Sequence, residues 1–476
     1  MREIAVAAGD GIGPEVMEAT LAVLEAAGVP LRFVPVEMGL SVWKRGVSTG
    51  ITEHAQETIE SLGILLKGPM ATPKGKGVKS INVTARKMWN AYANKRVFRS
   101  LPGVPRAKHL HPDVDITMIR ENIEDTYGAI EHMQTHDVAQ CRRLITRPGS
   151  EAVVRYAFEV ARRKGARRIT AGHKANIMKM TDGLFLEVFR QVATEYPELR
   201  ADDRIVDALA MELVMQPDAF DVIVLPNLQG DILSDLCAGL VGGLAYAPSA
   251  NVGEHISIFE AVHGTAPDIA GQGVANPTAL LLSACIMLRH LGLFPWADAI
   301  ESAVHRALRA AYRPPDLGYP PPPFRTERFR DLVIDALKPV DPELVRSIAK
   351  PLTVARRSDL RMLVSPRTES EDTVGVDLFI DSEAHPAFVA EAVNAECPPG
   401  MRVVMISNRG TQVWPTGSVF TDCVNHHRVR VEADEPVSSE VLYALAARVS
   451  ATLRVCSTET LLRIGDRPAY SLAQGQ

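Results

Sequence analysis

Ile4-Ala5-Val6-Ala7-Ala8-Gly9-Asp10-Gly11-Ile12-Gly13-Pro14-Glu15 opens the chain with an apolar strand, a glycine-rich turn and the start of a helix that continues to Ala27. Pro14 suits a first helical turn, where its missing N–H costs no bond, and Glu15 faces the positive helix end. The helix stops near Gly28. The same step returns at Asp221 to Leu225 followed by Asp231 to Gly239, and short apolar runs alternate with helical patterns to about Ala311. Such alternation predicts an α/β layered fold.

At 476 residues the chain exceeds one core of ordinary size, so two or three domains are expected. A proline-dense connector, Pro314-Pro315 and then Pro320 to Pro323, precedes a helix at Glu327 to Leu337, and 341–369 reads as a linker. The remainder alternates strand, helix and strand twice, with strands at Val374 to Ile380, Arg402 to Ser407, His427 to Glu432 and Arg454 to Ile464. Its helices fall at Ala384 to Glu396 and Ser438 to Leu453, which gives the βαββαβ order of a ferredoxin-like α+β module.

Apolar residues make up 46% and the net charge is -5, so no basic excess offers itself to a polyphosphate backbone and nucleic acid is not an expected partner. Six cysteines without a C-x-x-C pair read as reduced thiols of a cytoplasmic protein. The N-terminus enters its strand at once, leaving no room for a signal sequence. The longest apolar stretch, Ala279 to Leu288, is short of the roughly 20 residues a membrane span needs.

Four segments carry candidate chemistry. Gly9 to Glu15 misses the third glycine of a dinucleotide fingerprint because Pro14 occupies its place, so alone it reads as a tight turn. Lys67-Gly68-Pro69-Met70-Ala71-Thr72-Pro73 and then Lys79 to Arg86 set hydroxyl, amide and guanidinium groups near a helix start, which suits an anion. Arg96 and Arg120 add two forks for carboxylates, although each taken alone better fits a solvated surface. Asp231 and Asp235, four apart, project from one helical face and fit either a divalent cation or a helix cap with an exposed neighbour. His263 to Asn276 is a small-residue loop in which Asp268 could accept from a ribose diol, repel a 2′-phosphate, or merely cap a turn.

In this order, the four motifs resemble the isocitrate and isopropylmalate dehydrogenase family over residues 1 to about 340, and the chain from Met405 onward resembles the C-terminal extension of its longer bacterial, Thermus-type members. The resemblance implies a discontinuous large domain, 1–91 and 242–340, a small domain, 92–241, with a dimer clasp near 125–151, and a C-terminal extension over 370–476. Ser80-x-Asn82-x-x-x-Arg86 is similar to the isocitrate branch, which implies oxidative decarboxylation of isocitrate in the tricarboxylic acid cycle. By the same resemblance Ser80, Asn82, Arg86, Arg96 and Arg120 bind substrate, and Asp207, Asp231 and Asp235 hold Mg²⁺ or Mn²⁺. Tyr127 and Lys179 are the implied acid/base pair, in a homo-oligomer with shared sites in which Lys179 and one of the three aspartates reach across from the second subunit. Ile12, Thr72, His263, Gly264, Thr265, Ala266, Asp268, Ile269 and Asn276 are the implied dinucleotide contacts. Asp268-Ile269 stands where NADP-using members usually show Lys-Tyr, so NAD is the expected cofactor. Homoisocitrate or isopropylmalate oxidation, and a non-catalytic regulatory subunit, stand as alternatives. The Pro-rich stretch around Tyr319 replaces the part of the family that completes the adenine pocket.

Overall fold

The structure, a computed structural model, describes residues 1–72, 80–104, 113–311, 324–341 and 369–472. The region around Tyr319 and nearly all of the expected linker lie outside these residues. The chain divides into two compact units, Met1–Tyr127 with Leu144–Met362, and Gly128–Arg143 with Leu363–Gln476.

A ten-stranded mixed sheet organises the first unit. From edge to edge its strands are Leu31–Pro35, Arg2–Ala7, Ile64–Lys67, Ser257–Ala261, Pro248–Val252, Ala93–Arg99, Asp115–Glu121, Val222–Leu225, Arg168–His173 and Arg200–Ile205. Strands toward both edges pair in parallel, whereas the middle four pair antiparallel. Parallel neighbours need crossover helices, and these supply the layers that bury both faces.

The opening helix spans Gly13–Ala26 with Pro14 in its first turn, one or two residues from the expected bounds. Thr52 and Thr146 cap the helices Glu53–Leu62 and Arg147–Lys164 by accepting from Ala55 N and Gly149 N. Each of those helices ends on a left-handed glycine, Gly63 or Gly165, which removes the Cβ penalty at that position. The apolar run from Ala279 lies in the helix Thr278–His290, which is buried almost throughout and packs beside Phe294–Ala311 in the largest core cluster. Among the described residues no helix is long and apolar enough to cross a membrane.

The second unit carries an antiparallel sheet in the order Thr411–Trp414, Met401–Asn408, His427–Ala433, Glu371–Asp381, Arg454–Ile464 and Arg467–Pro468, with helices Pro386–Glu396 and Ser439–Val449. Without its two short edge strands, this is the expected ferredoxin-like arrangement. Those edge strands escaped the sequence reading because Thr411–Trp414 is only four residues long and Arg467–Pro468 two. Residues 128–143 join this unit: Ser457 Oγ donates to Gln134 Oε1 at 3.0 Å, Thr135 Oγ1 to Asn425 Oδ1 at 3.1 Å, and Arg142 pairs with Glu459 at 2.8 Å.

In the middle of that sheet Asp377 accepts from Arg430 at Nε and Nη2, both 2.9 Å, and from Arg428 Nε at 2.8 Å. Both Asp377 and Arg430 are buried. Asp377→Asn should therefore destabilise this unit by about 3 to 5 kcal/mol, because it strands Arg430 without a counter-charge. Urea unfolding of the full chain followed by circular dichroism measures it, and an unchanged profile would refute the assignment.

Candidate active site

Directly paired residues of neighbouring strands share a face, and residues two apart along one strand do so as well. Asn94 lies opposite both Arg120 and Asn251, Arg96 opposite Ser249, and Ser249 opposite Glu260. The central antiparallel strands thus present Asn94, Arg96, Arg120, Asn251 and Glu260 on one side. A continuous hydrogen-bonded chain joins Arg96, Asn94, Asn251 and Glu260. Arg96 Nε donates to Asn94 Oδ1 at 2.6 Å, Asn94 Nδ2 to Asn251 Oδ1 at 2.8 Å, and Asn251 Nδ2 to Glu260 Oε1 at 2.6 Å.

Glu260 is also paired with Lys67, which ends the strand Ile64–Lys67, and with Arg86 at 3.0 Å. Burial alone would raise its carboxyl pKa, but the charges of Lys67 and Arg86 hold it far below the usual carboxylate range. Lys67 Nζ reaches on to Asn82 Oδ1 at 2.8 Å. Asn82 and Arg86 are four apart on the helix Ile81–Met88, so one helical face meets the ion cluster. Ser80 precedes this helix without capping it, and its Oγ lies 3.3 Å from Thr72 Oγ1.

The helix Asn227–Leu240 supplies the opposite wall. Asn227 Oδ1 accepts from Arg120 Nε and Nη2 at 3.0 and 2.7 Å, while Asp231 pairs with Arg120 and lies 3.4 Å from Arg96 Nη2. Gly230 permits this approach, since a Cβ there would stand 2.7 Å from Arg120 Cγ. Tyr127 OH donates to Asp231 Oδ2 at 2.5 Å, with the Arg120 guanidinium 4.8 Å from the ring centroid. Burial, reinforced by that hydrogen bond, raises the phenol's pKa and keeps it protonated at neutral pH. Burial also works to raise Asp231, but Arg120, the Tyr127 hydroxyl and Arg96 outweigh it and leave a carboxylate. Asp235 is pushed up by burial and by the Asp231 charge, with partial relief from Arg96 at 3.9 Å.

Two expected participants stand elsewhere. Asp207, on the helix Val206–Met215, accepts from Lys174 Nζ at 2.6 Å, and this bond lowers its pKa. Lys179 is exposed and makes no hydrogen bond or ion pair among the described residues. The lysine brought to Asp207 is Lys174, directly after the strand Arg168–His173, with its backbone N–H fixed by Asp182 Oδ2 at 2.6 Å. Among the described residues no three His, Cys, Asp or Glu side chains gather as a metal site, so Asp207, Asp231 and Asp235 do not meet within this chain.

The implied dinucleotide contacts do converge. Ile12 N donates to Thr265 O at 2.9 Å, and a Cβ on Gly11 would meet that oxygen at 2.1 Å, so only glycine allows the two loops to touch. Asp10 accepts from Ala71 N at 2.8 Å and from Leu40 N at 3.0 Å, tying the loop that carries Thr72 to the same place. His263 Nδ1 is 3.0 Å from Gly264 O, and its buried Nε2 has no partner among the described residues. Asn276 Oδ1 accepts from Thr278 N and Oγ1 at 3.0 and 2.6 Å, at the head of the helix Thr278–His290. Ala266 adopts a left-handed φ of 37°, and Pro267–Ile269 forms a single 3₁₀ turn with Asp268 exposed.

Sequence reading missed Asn94, Lys174, Asn227, Asn251 and Glu260, and treated Lys67 only as part of a loop. Lys67 and Glu260 each stand in an otherwise apolar strand, Ile64-Leu65-Leu66-Lys67 and Ser257-Ile258-Phe259-Glu260-Ala261, and a lone charge in such a run was the signal available.

Comparison with known proteins matches residues 3–333 to the family described as isocitrate/isopropylmalate dehydrogenase, and residues 371–476 to the bacterial isocitrate dehydrogenase C-terminal domain. The NADP-named isocitrate dehydrogenase of Thermus thermophilus is 43% identical, over 99% of this chain and 96% of its own. A probable mitochondrial NAD-named isocitrate dehydrogenase subunit alpha of Drosophila melanogaster is 46% identical over 67% of this chain and 83% of its own. The crystal structure of the TT0538 protein, also from Thermus thermophilus, superposes with a TM-score of 0.90 at 42% identity, covering 100% of this chain and 96% of that one.

The expectation of NAD is overturned by the NADP in the names of the relatives that match the whole chain. Its physical weakness is visible in the loop: Asp268 is exposed, and a solvated carboxylate is screened too strongly for one side chain to decide between dinucleotides.

Glu260→Gln, which keeps the shape but removes the charge shared by Lys67 and Arg86, should destabilise the fold by about 3 to 5 kcal/mol at neutral pH. Because its folded pKa is depressed, the Glu260 contribution is present above its unfolded pKa and lost as pH falls below about 4.5. Thermal unfolding at pH 7 and pH 3.5 tests this: the gap between native chain and variant should shrink at the lower pH, and a gap independent of pH would refute it.

Proposed function

This chain belongs to the isocitrate/isopropylmalate dehydrogenase family, and from that premise we propose that it oxidatively decarboxylates isocitrate to 2-oxoglutarate and CO₂, with hydride passing to the NADP named for its full-length relatives. The observation that carries this reading is the cluster of Arg86, Arg96 and Arg120, held on a rigid scaffold beside Ser80 and Asn82 and faced by the protonated phenol of Tyr127. Burial and the neighbouring guanidiniums pull the Arg96 pKa down, a sign of crowded positive charge that a substrate with three carboxylates would relieve.

In this reading the substrate carboxylates take the places that Asp231 holds on Arg96 and Arg120. Ser80 and Asn82 orient the remaining oxygens, while Tyr127 delivers its hydroxyl proton to the carbon from which CO₂ departs. Asp231 and Asp235 fit a divalent cation, because burial and mutual repulsion already strain the Asp235 charge. Such a cation, completed by Asp207, would supply Lewis-acid polarisation of the substrate oxygens. The dinucleotide accepts the hydride, and the touching loops at Ile12, Thr72 and His263 to Asn276 would hold it, with the unpartnered His263 Nε2 able to bind one of its polar atoms.

Asp207 and Lys179 reach this centre from a second copy of the chain, with Lys174 holding the Asp207 carboxylate. Exposed Ile177, Met180, Met211, Met215 and Ile232 lie on the same helices and loop as Lys174, Asp207 and Asp231, an apolar face suited to a homo-oligomer. Lys179, exposed and without a hydrogen-bond or ion-pair partner among the described residues, then serves as the proton-transfer lysine that the resemblance implied.

Three outcomes test the proposal. Tyr127→Phe should lower kcat with isocitrate by about 100-fold or more while leaving KM within a few-fold, and unimpaired turnover would remove Tyr127 from the chemistry. Tyr127→Phe and Lys179→Met chains, each inactive alone, should recover up to about a quarter of native activity when refolded together, since hybrid dimers regain one complete site. No recovery would argue against shared sites. Asp268→Lys should leave kcat/KM for NADP within about twofold, because water and salt screen that exposed turn, and a change of tenfold or more would show that this side chain does discriminate between dinucleotides.

A further inference from the structure

Arg120 Nε and Nη2 both donate to Asn227 Oδ1, and a side-chain amide that accepts with its oxygen must turn its nitrogen the other way. That nitrogen meets Glu121. Asn227 Nδ2 donates to Glu121 Oε2 at 3.2 Å and to Glu124 O at 3.4 Å, so two successive residues of the strand Asp115–Glu121 hold opposite ends of one amide. Arg120, Glu121 and Asn227 are all buried.

Glu121 meets only donors. Ile123 N donates to its Oε1 at 2.7 Å and Glu124 N to its Oε2 at 3.0 Å, so with Asn227 Nδ2 these bonds offer a protonated Glu121 no acceptor for its own hydrogen. Turning the Asn227 amide over would supply one. The Oε2 hydroxyl would then donate to Asn227 Oδ1 and still accept from Glu124 N, but Nδ2 would face the Arg120 guanidinium, donor against donor. The hold on Arg120 therefore depends on an ionised Glu121.

Burial pushes the Glu121 carboxyl up to about 7, against the pull of the Ile123 and Glu124 N–H groups, and the Glu124 charge pushes the same way. Glu124 itself accepts from Thr146 N at 2.8 Å. The other charges at this corner are Asp125, whose Oδ2 accepts from Leu228 N on the helix of Asn227, and Arg120 beyond the amide.

We propose that Glu121 is a positioning residue for substrate binding that acts through the Asn227 amide: as a carboxylate it fixes Arg120 for a substrate carboxylate, and on taking up a proton it lets the amide turn and Arg120 lose its acceptor. The isocitrate KM then rises as pH falls through the point where Glu121 protonates, and kcat at saturation changes little.

This role rests on Arg120 being an isocitrate ligand, as proposed above, and steady-state kinetics of the full chain with isocitrate, NADP and Mg²⁺ separate the two. Glu121→Gln should raise the isocitrate KM about tenfold at about pH 8 with kcat within about twofold, since a charge-assisted bond is lost. The ratio of variant to native KM should fall towards one at about pH 6, where the native carboxyl is protonated as well, and the ionisation of the substrate cancels in that ratio. Should Glu121→Gln fail to fold, Asn227→Asp decides: its carboxylate offers Arg120 an acceptor whichever way it faces, so its KM ratio to native should likewise fall several-fold between about pH 8 and pH 6. A ratio independent of pH would overturn the role of Glu121 alone. A native chain that turns over no isocitrate at about pH 8 would overturn the proposed function, and the role of Glu121 with it.

Discussion

One buried carboxylate holds the centre of this molecule together. Glu260 sits where the strands Ser257–Ala261, Ile64–Lys67 and Pro248–Val252 meet, and it receives Lys67 from one side, Arg86 from a helix and Asn251 from its neighbour. An ammonium and a guanidinium with no counter-charge would not remain in that apolar interior, so the positions of Lys67, Arg86 and Asn251 depend on this one acid. Through Asn251 and Asn94 the same constraint reaches Arg96, a rigid path of short hydrogen bonds along the backbone of the sheet. Arg120 is set separately, by Asn227 and by the space that Gly230 leaves.

A scaffold of this kind stores electrostatic imbalance. Three guanidiniums stand close together, and Asp231 answers two of them. Placing Asp231 there engages the arginines with a carboxylate of the chain itself, the same chemistry that a carboxylate substrate offers. Under the proposed function, displacement would exchange like for like, so the cost of assembling the site would be borne by folding rather than by binding. Tyr127 shares in this arrangement because its proton is held by the carboxylate that also meets the arginines.

The cofactor correction has a local physical origin. Asp268 occupies a solvent-facing turn, where water and salt weaken its repulsion of a 2′-phosphate. Lys174 and Lys179 lie five apart in the same segment, and composition treats them alike. Only the course of the chain after His173, with Asp182 holding the Lys174 backbone, turns one toward Asp207 and the other to solvent.

By itself the sequence determined the alternation that makes the first unit α/β, the βαββαβ order of the second, and the spacing of Asn82 with Arg86 and of Asp231 with Asp235. Those features are local: they follow from hydrophobic period, capping residues and helical geometry, which act within a few residues of one another. The tertiary structure alone decided that Glu260 joins Lys67 and Arg86, that Asn94 and Asn251 link Arg96 to them, and that residues 128–143 belong with the C-terminal unit. Contacts between residues 157 or 193 positions apart, such as Asn94 with Asn251 and Lys67 with Glu260, arise from strand order in the sheet, and no local period encodes which strands become neighbours.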